Sequence, residues 1–377
     1  MVRCVFVMSV TENSEYLTSQ IITYIGNKRA LLGYIEKEVL LVQKHLQKTK
    51  LSCADLFSGS GIVARMLKQY SSFLAANDLE NYSCVLNDCY LTNKEDFDLE
   101  TCKSLLSKIQ ESACSKKIPG IICKNYAPAD DKNILIGERV FYTRENALLI
   151  DTYRFLIGEY VPLHLQKFFL APLLTQASVH VNTSGVFKGF YKDKATGIGC
   201  FGAAGKNALS RITGKISLEL PVLSNFSCKT QIFQKDAVEL SSMLPHLDLV
   251  YLDPPYNQHP YGSNYFMLNL ILKNKIDVEI SRVSGITQDW NRSVFNSAKK
   301  ALASMEEIIK NLNASFIIIS YNSEGFITFE QMTLMLKKYG ELKTVEIPYN
   351  TFRGSRNLKD RPSYVSEYLF ILKKQAG

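Results

Sequence analysis

No apolar run in the chain approaches the roughly 18 to 20 residues that a membrane-spanning helix requires, so no membrane association is expected. C-x-x-C pairs are absent, and five histidines accompany nine cysteines at the irregular positions 4, 53, 84, 89, 102, 114, 123, 200 and 228, which argues against structural zinc. An odd cysteine count without a framework reads as reduced, mostly buried thiols. Internal repeats and low-complexity tracts are lacking. The stretch Met1 to Val10 is apolar with one arginine but has no small-residue cleavage site, so a signal peptide is not expected and cytoplasmic residence is. What is present is globular: 377 residues, 46% hydrophobic and 21% charged, enough for one large domain with an insertion or for two ordinary ones. The net charge of +8 suits a polyanionic partner without demonstrating one.

Leu31, Leu32, Ile35 and Val39 recur at helical spacing just after Tyr24-Ile25-Gly26-Asn27-Lys28-Arg29. Leu51 to Phe57 reads as a buried strand, Gly59 and Gly61 break it, and Ile62 to Gln69 reads as a helix. A second strand, Phe73 to Ala76, ends at Asn77-Asp78, so the first hundred residues look like the start of an open parallel α/β sheet. Residues 116 to 225 depart from this rhythm. They open with helical periodicity over Tyr142 to Ile157 and continue into a Gly-rich basic stretch, which reads as an inserted substrate domain. There Lys188, Lys192, Lys194, Lys206, Arg211 and Lys215 face the single acid Asp193, with Phe187, Phe190, Tyr191 and Phe201 interleaved. Basic plus aromatic suits nucleic acid, although a solvated loop with packed aromatics has the same composition. Strands resume at Thr230 to Phe233, Leu247 to Leu252 and Phe316 to Ile319. Two more, near Leu342 to Ile347 and Val365 to Leu372, flank a short basic connector, Pro348 to Pro362, and are expected to form an antiparallel hairpin.

The strongest chemical signal is a buried strand running into Asp253-Pro254-Pro255-Tyr256. In open α/β sheets ligands bind beyond the carboxyl ends of strands. The prolines stiffen the turn and remove two donors, so its carbonyls stay available as acceptors. Asp253 and the Pro254 carbonyl can both accept from an exocyclic amine, aiming its lone pair at an electrophile, while Tyr256 can stack on a purine swung out of a duplex. The second element is Asp55-Leu56-Phe57-Ser58-Gly59-Ser60-Gly61, where glycines let backbone approach a ligand and an acid stands at the strand end. Asp78, ending the next strand, can bind ribose hydroxyls, so nucleoside binding is expected. Asp236 is a further candidate contact to the adenine of a cofactor. Gly199-x-x-Gly202-x-x-Gly205-Lys206 is not a phosphate loop, because Asn207 and Cys200 stand at two required positions.

Taken together, these segments resemble the D12-class (alpha-group) DNA adenine N6-methyltransferases, which include the Dam-like enzymes and the modification enzymes of type II restriction systems. Tyr24 to Arg29 is similar to the family's N-terminal motif, with Asn27 where a glycine is common. Phe57 to Gly61 resembles its cofactor loop, and Asp253 to Tyr256 its catalytic tetrad. Asn182 to Phe190 resembles a segment of its restriction-modification members, and Tyr349 to Asn357 a hairpin near the flipped base.

The resemblance implies a seven-stranded, mostly parallel Rossmann-like sheet with an antiparallel C-terminal strand. Catalytic parts would span 1–115 and 226–377, and an inserted DNA target-recognition domain 116–225. It implies S-adenosylmethionine bound by Tyr24, Lys28, Asp55, Phe57, Gly59, Gly61, Asp78 and Asp236. Duplex DNA would be touched by Lys188, Lys192, Lys194, Arg211, Arg353 and Arg356. A cytoplasmic monomer without an obligatory protein partner is expected. Two alternatives stay open: an RNA methyltransferase acting on adenine N6 or guanine N2, whose amines the same tetrad can hold, and an inactive DNA-binding homologue.

Overall fold

The computed structural model describes residues 10–202, 205, 206, 208–350 and 364–375, without the side chains of 349, 350 and 364. Its strands are β1 (Leu51–Asp55), β2 (Ser71–Asn77), β3 (Lys229–Phe233), β4 (Leu247–Leu252), β5 (Ala314–Asn322), β6 (Gly340–Asn350) and β7 (Tyr364–Lys374). They form one seven-stranded sheet in the order β3-β2-β1-β4-β5-β7-β6. Every neighbouring pair is parallel except those made by β7, which runs antiparallel to β5 and to β6. The hairpin expected from sequence is therefore present, with one difference: β6 continues through Pro348, which faces Ser366, to Asn350. Proline is tolerated there because β6 is the outermost strand, with one side free of ladder partners. The connector 351–363, with Arg353 and Arg356, lies outside the described residues.

All six residues of β4 are buried, and from Leu249 to Leu252 its side chains alternate between two cores. Leu249 and Tyr251 pack with Ile35 and Val39 of helix Leu32–Leu46 and with Val63 and Met66 of helix Ile62–Lys68. Val250 and Leu252 pack on the other face with Met305 and Ile308 of helix Ala298–Asn311 and with Met332 of helix Phe329–Leu336. Period-two alternation is what a strand covered on both faces produces. Each fully buried aliphatic side chain contributes about 2 kcal/mol, so these layers hold the strand ends rigidly in register. Strand order reverses between β1 and β4, and a crevice opens beyond their carboxyl ends.

A third core lies beside the sheet. Helices Asn81–Tyr90, Leu99–Ser115, Arg144–Tyr160, Lys167–Val179 and Phe266–Lys273 share it through residues such as Leu86, Ile109, Ile150, Phe169, Leu173 and Met267. The helical part of the middle segment is thus continuous in packing with helices that precede and follow it in the chain. Helix Arg144–Tyr160 begins where Thr143 caps the amide of Asn146, two residues after the periodicity suggested. Helix Lys167–Val179 tolerates Pro172 in its interior, within the apolar core. The eight described cysteines are all free, and five of them are buried. No helix among the described residues is long and apolar enough to cross a membrane.

Asp151 ties the middle segment together. Its buried carboxylate accepts from the amides of Gly120 at 2.8 Å, Ile122 at 3.1 Å and Cys123 at 2.8 Å, capping helix Ile121–Asn125 from the neighbouring helix Arg144–Tyr160. Asp151→Ala strands these three donors and is expected to cost about 3 kcal/mol, measured as a lower urea midpoint at an unchanged slope.

Candidate active site

β4 delivers Asp253 to the crevice, and the chain then turns through Pro254, Pro255 and Tyr256. The turn is pinned where it ends: the Tyr256 carbonyl accepts from the amide of Phe326 at 3.1 Å, and the Asn257 carbonyl from the Asn296 side chain at 2.9 Å. The Tyr256 ring lies edge-on to Tyr321, with centroids 6.4 Å apart. One oxygen of Asp253, Oδ1, is 2.9 Å from the ammonium of Lys28, and the same ammonium is 3.0 Å from Oε1 of Glu367 on β7. Glu367 in turn accepts from the Ser320 hydroxyl at 2.8 Å and the Asn322 amide at 3.0 Å, both on β5. Sheet register explains the meeting, since Asn322 lies opposite Glu367 in the antiparallel pair.

Lys28 arrives from the turn Tyr24 to Asn27. Gly26 adopts a φ of +76°, and a Cβ there would sit 3.3 Å from the Tyr261 hydroxyl. Two tyrosines hold the turn by its backbone: the Ile25 amide donates to the Tyr265 hydroxyl at 2.8 Å, and the Tyr261 hydroxyl donates to the Ile25 carbonyl at 3.0 Å. Their rings stack with Tyr24, with centroids 5.0 and 4.8 Å away.

The charges are interdependent. Burial works against the Lys28 ammonium, but the Asp253 and Glu367 carboxylates outweigh it and hold its pKa well above the ordinary lysine value. Burial pushes Asp253 up to about 6, opposed by Lys28 and assisted by the charge of Glu367. For Glu367 burial is outweighed by Lys28 and by the Ser320 and Asn322 hydrogen bonds, which together hold it below the ordinary carboxylate range.

Beside Asp253 the crevice holds about 620 Å³ of space, counting its open mouth. Of the residues expected at a cofactor, Tyr24, Phe57, Asp78 and Asp236 line it, together with Asp253 and Pro255. The carboxylate of Asp78 accepts from the amides of Gly59 at 2.7 Å and Glu80 at 2.9 Å, so it shapes the loop as well as facing the cleft. Asp236 caps helix Ala237–Ser241 by accepting from Val238 at 2.8 Å.

Four other residues expected there do not line the cleft. Lys28 is held by its two carboxylates. Asp55 is buried and accepts from the Phe57 amide at 3.3 Å; burial and then the charge of Asp253 raise it well above the ordinary range. Gly59 and Gly61 have positive φ, and a Cβ would come within 2.7 Å of the Tyr24 ring at one and within 2.7 Å of Asn87 at the other. These glycines admit protein neighbours.

Sequence reading missed Glu80, Tyr261, Asn291, Ser293 and Asn296 in the cleft wall, and Glu367 beside it. Burial, then the charge of Asp78, pushes Glu80 up to about 7. Its signal was the Asp78-x-Glu80 pair. That of Asn296 was the Ser293-x-x-Asn296 capping box. Glu367 shares the inward face of β7 with Val365 and Leu369, and an acid on a buried face demands a partner.

In the middle segment, Lys192 and Lys194 stand on an exposed finger closed by a Lys192–Gly199 bridge, with Lys192 over the Phe190 ring at 5.1 Å. Lys188 is half-buried near His259; burial lowers the pKa of both, and the Lys188 charge lowers His259 further. Arg211 departs from the expectation of a DNA contact: its guanidinium turns inward and donates to the carbonyls of Val179 and Val181. Val179 is the last residue of helix Lys167–Val179 and Val181 lies just beyond it, where carbonyls without helical donors take a cation well.

The family model for D12 class N6 adenine-specific DNA methyltransferase matches residues 24–335. Type II methyltransferase M.NlaIII from Neisseria lactamica is 31% identical over 361 residues, 93% of this chain and 99% of that protein. Type II methyltransferase M.CviAII from Paramecium bursaria Chlorella virus 1 is 31% identical over 359 residues, 93% of this chain and 98% of that protein. Modification methylase StsI from Streptococcus sanguinis is 28% identical over 371 residues, covering 93% of this chain and 52% of that protein. With Asp253 to Tyr256 at the end of β4 beside the cleft, and on these matches, the chain belongs to the D12 class of N6 adenine-specific DNA methyltransferases.

Proposed function

We propose that the chain moves a methyl group from S-adenosylmethionine to N6 of an adenine turned out of duplex DNA, as the modification enzyme of a restriction-modification system. The observation that carries this reading is the adjacency of Asp253 to a cleft lined by carboxylates and aromatic rings. The donor set fits the cofactor. Asp78 and Glu80 present acceptors for a ribose diol, Phe57 and Asp236 offer a flat wall and an acceptor for its adenine, and the Tyr24 ring suits a sulfonium. When bound, the cofactor supplies an electrophilic methyl carbon.

The protein's own part is positioning and charge. Asp253 and the Pro254 carbonyl accept the two N6 hydrogens, and Tyr256 stacks on the base, so that the nitrogen lone pair points at the methyl carbon. The Asp253 carboxylate also stabilises positive charge developing on N6. Lys188, Lys192 and Lys194 take phosphates, with Arg353 and Arg356 on the connector doing the same near the base. Residues 116–225 form the target-recognition part, and the enzyme acts as a cytoplasmic monomer. The names of the relatives support the restriction-modification assignment.

Incubation with methyl-labelled cofactor and either duplex DNA or RNA tests the reading. Label is expected in DNA, at N6 of adenine in a single sequence context found by sequencing DNA from cells expressing the chain. Label in RNA alone would overturn it. Asp253→Asn is expected to lower kcat at least about 100-fold while DNA still binds in a filter assay. With Asp253 held up to about 6, kcat/KM should fall about tenfold for each pH unit below that value, because protonation removes an acceptor. Lys188→Ala should flatten the plot of log affinity against log salt by about one unit of slope, without changing the sequence methylated.

A further inference from the structure

Outside the tetrad, the group that stands out is Glu367. It is a carboxylate 3% exposed, on the last strand of the sheet in chain order and outside every recognised motif, and it is bonded to a lysine that also holds the tetrad aspartate. A buried carboxylate and a buried ammonium each cost several kcal/mol in lost hydration unless the geometry is good and the remaining valences are filled. Here they are filled: Ser320 and Lys28 meet Oε1 and Asn322 meets Oε2. Fold stability alone does not need such a cluster at this place, since an apolar side chain between Val365 and Leu369 would pack on the same face. Among the described residues, Lys28 is the only hydrogen-bonding or ion-pairing partner of the Asp253 carboxylate; it touches Oδ1, and Asp253 itself lines the cleft.

We propose that Glu367 is a positioning residue of the methyl-transfer site: it anchors the Lys28 ammonium on Oδ1 of Asp253 and shares its charge, keeping Oδ2 an effective acceptor for the adenine amine. This rests on the assignment of Asp253 as that acceptor. Lys28 and Asp253 alone would be a neutral pair, with little attraction for a nitrogen that turns cationic as the new bond forms. Two carboxylates around one ammonium leave one net negative charge beside that nitrogen. The β5 and β7 hydrogen bonds stop Lys28 from swinging across to both oxygens of Asp253. Other titratable groups facing Asp253 are Asp55 on β1, Tyr251 on β4, and Tyr256 and Tyr261 in the loop and short helix after it. None of these pairs with Lys28; among the described residues Glu367 alone shares that ammonium with Asp253.

Glu367→Gln removes the charge and keeps the shape. Single-turnover methylation between pH 5 and 8 is expected to be slowed about tenfold at pH 7, with cofactor Kd and DNA Kd within about twofold of the starting protein. The acid limb of the pH profile should move to lower pH, because Lys28 then acts on Asp253 undivided. Glu367→Asp keeps the charge, and should return the limb toward its original position with an intermediate rate. An unshifted limb and an unchanged rate in folded Glu367→Gln would overturn the proposal. So would a rate loss matched by the unfolded fraction in a thermal melt with the limb unmoved. If Glu367→Gln does not fold, Glu367→Asp decides: an intermediate rate with unchanged Kd values supports the proposal, and a wild-type rate overturns it. Full activity in Asp253→Asn would instead remove the assignment of Asp253, whatever the Glu367 variants do.

Discussion

One ammonium between two carboxylates ties the end of β4 to the rest of the crevice wall. Lys28 comes from the turn after the N-terminal segment, Asp253 from the end of β4, and Glu367 from β7, so the cluster closes only when three remote stretches of chain are in place. Loss of either carboxylate would leave the other members buried and short of a partner, a cost that falls on the folded state. The insertion of β7 between β5 and β6 is what makes the closure possible. An antiparallel strand at that position brings its Glu367 opposite Asn322 and within reach of the groove above β4.

The tyrosines do for the cleft what the ion cluster does for the tetrad. Tyr261 and Tyr265 grip the Ile25 backbone from both sides and stack on Tyr24, so the ring that lines the cleft and the turn that delivers Lys28 to Asp253 are held by the same two side chains. Tyr265 also meets the Phe187 ring, and the Phe187 amide donates to the Asn264 carbonyl at 2.8 Å. The basic middle segment is therefore docked directly on the helix that follows the tetrad, and it shares one packed core with Tyr24 and Tyr261 of the cleft wall, while Tyr256 packs against the core on the other side of the sheet.

Much of this was readable in advance, for identifiable reasons. Strand alternation, the glycine break after β1 and the Asp-Pro-Pro-Tyr turn are local features, and local features obey periodicity and turn chemistry. The family followed from their arrangement along the chain, and the seven-stranded, mostly parallel sheet from the resemblance to it, whereas the strand order came only with the structure. Several helices escaped notice: Lys167–Val179 is apolar almost all round and carries Pro172, so neither amphipathic spacing nor breaker rules point to it. The inward turn of Arg211 was equally hidden, because a basic residue in a basic stretch looks solvated until its carbonyl partners are seen.

The opposite limits meet at the site itself. Sequence alone put an acceptor, a rigid turn and a flat ring together at Asp253 to Tyr256, since these are properties of four consecutive residues. It also picked out Asp78 and Phe57, which line the cleft. Tertiary structure alone decided that Lys28 serves Asp253, that Gly59 and Gly61 make room for Tyr24 and Asn87, and that Glu80 and Glu367 join the site. The reason is the range of the forces involved: an ion pair or a close contact acts over a few ångströms in space, and residues 28, 253 and 367 become neighbours only through the order of strands in the sheet.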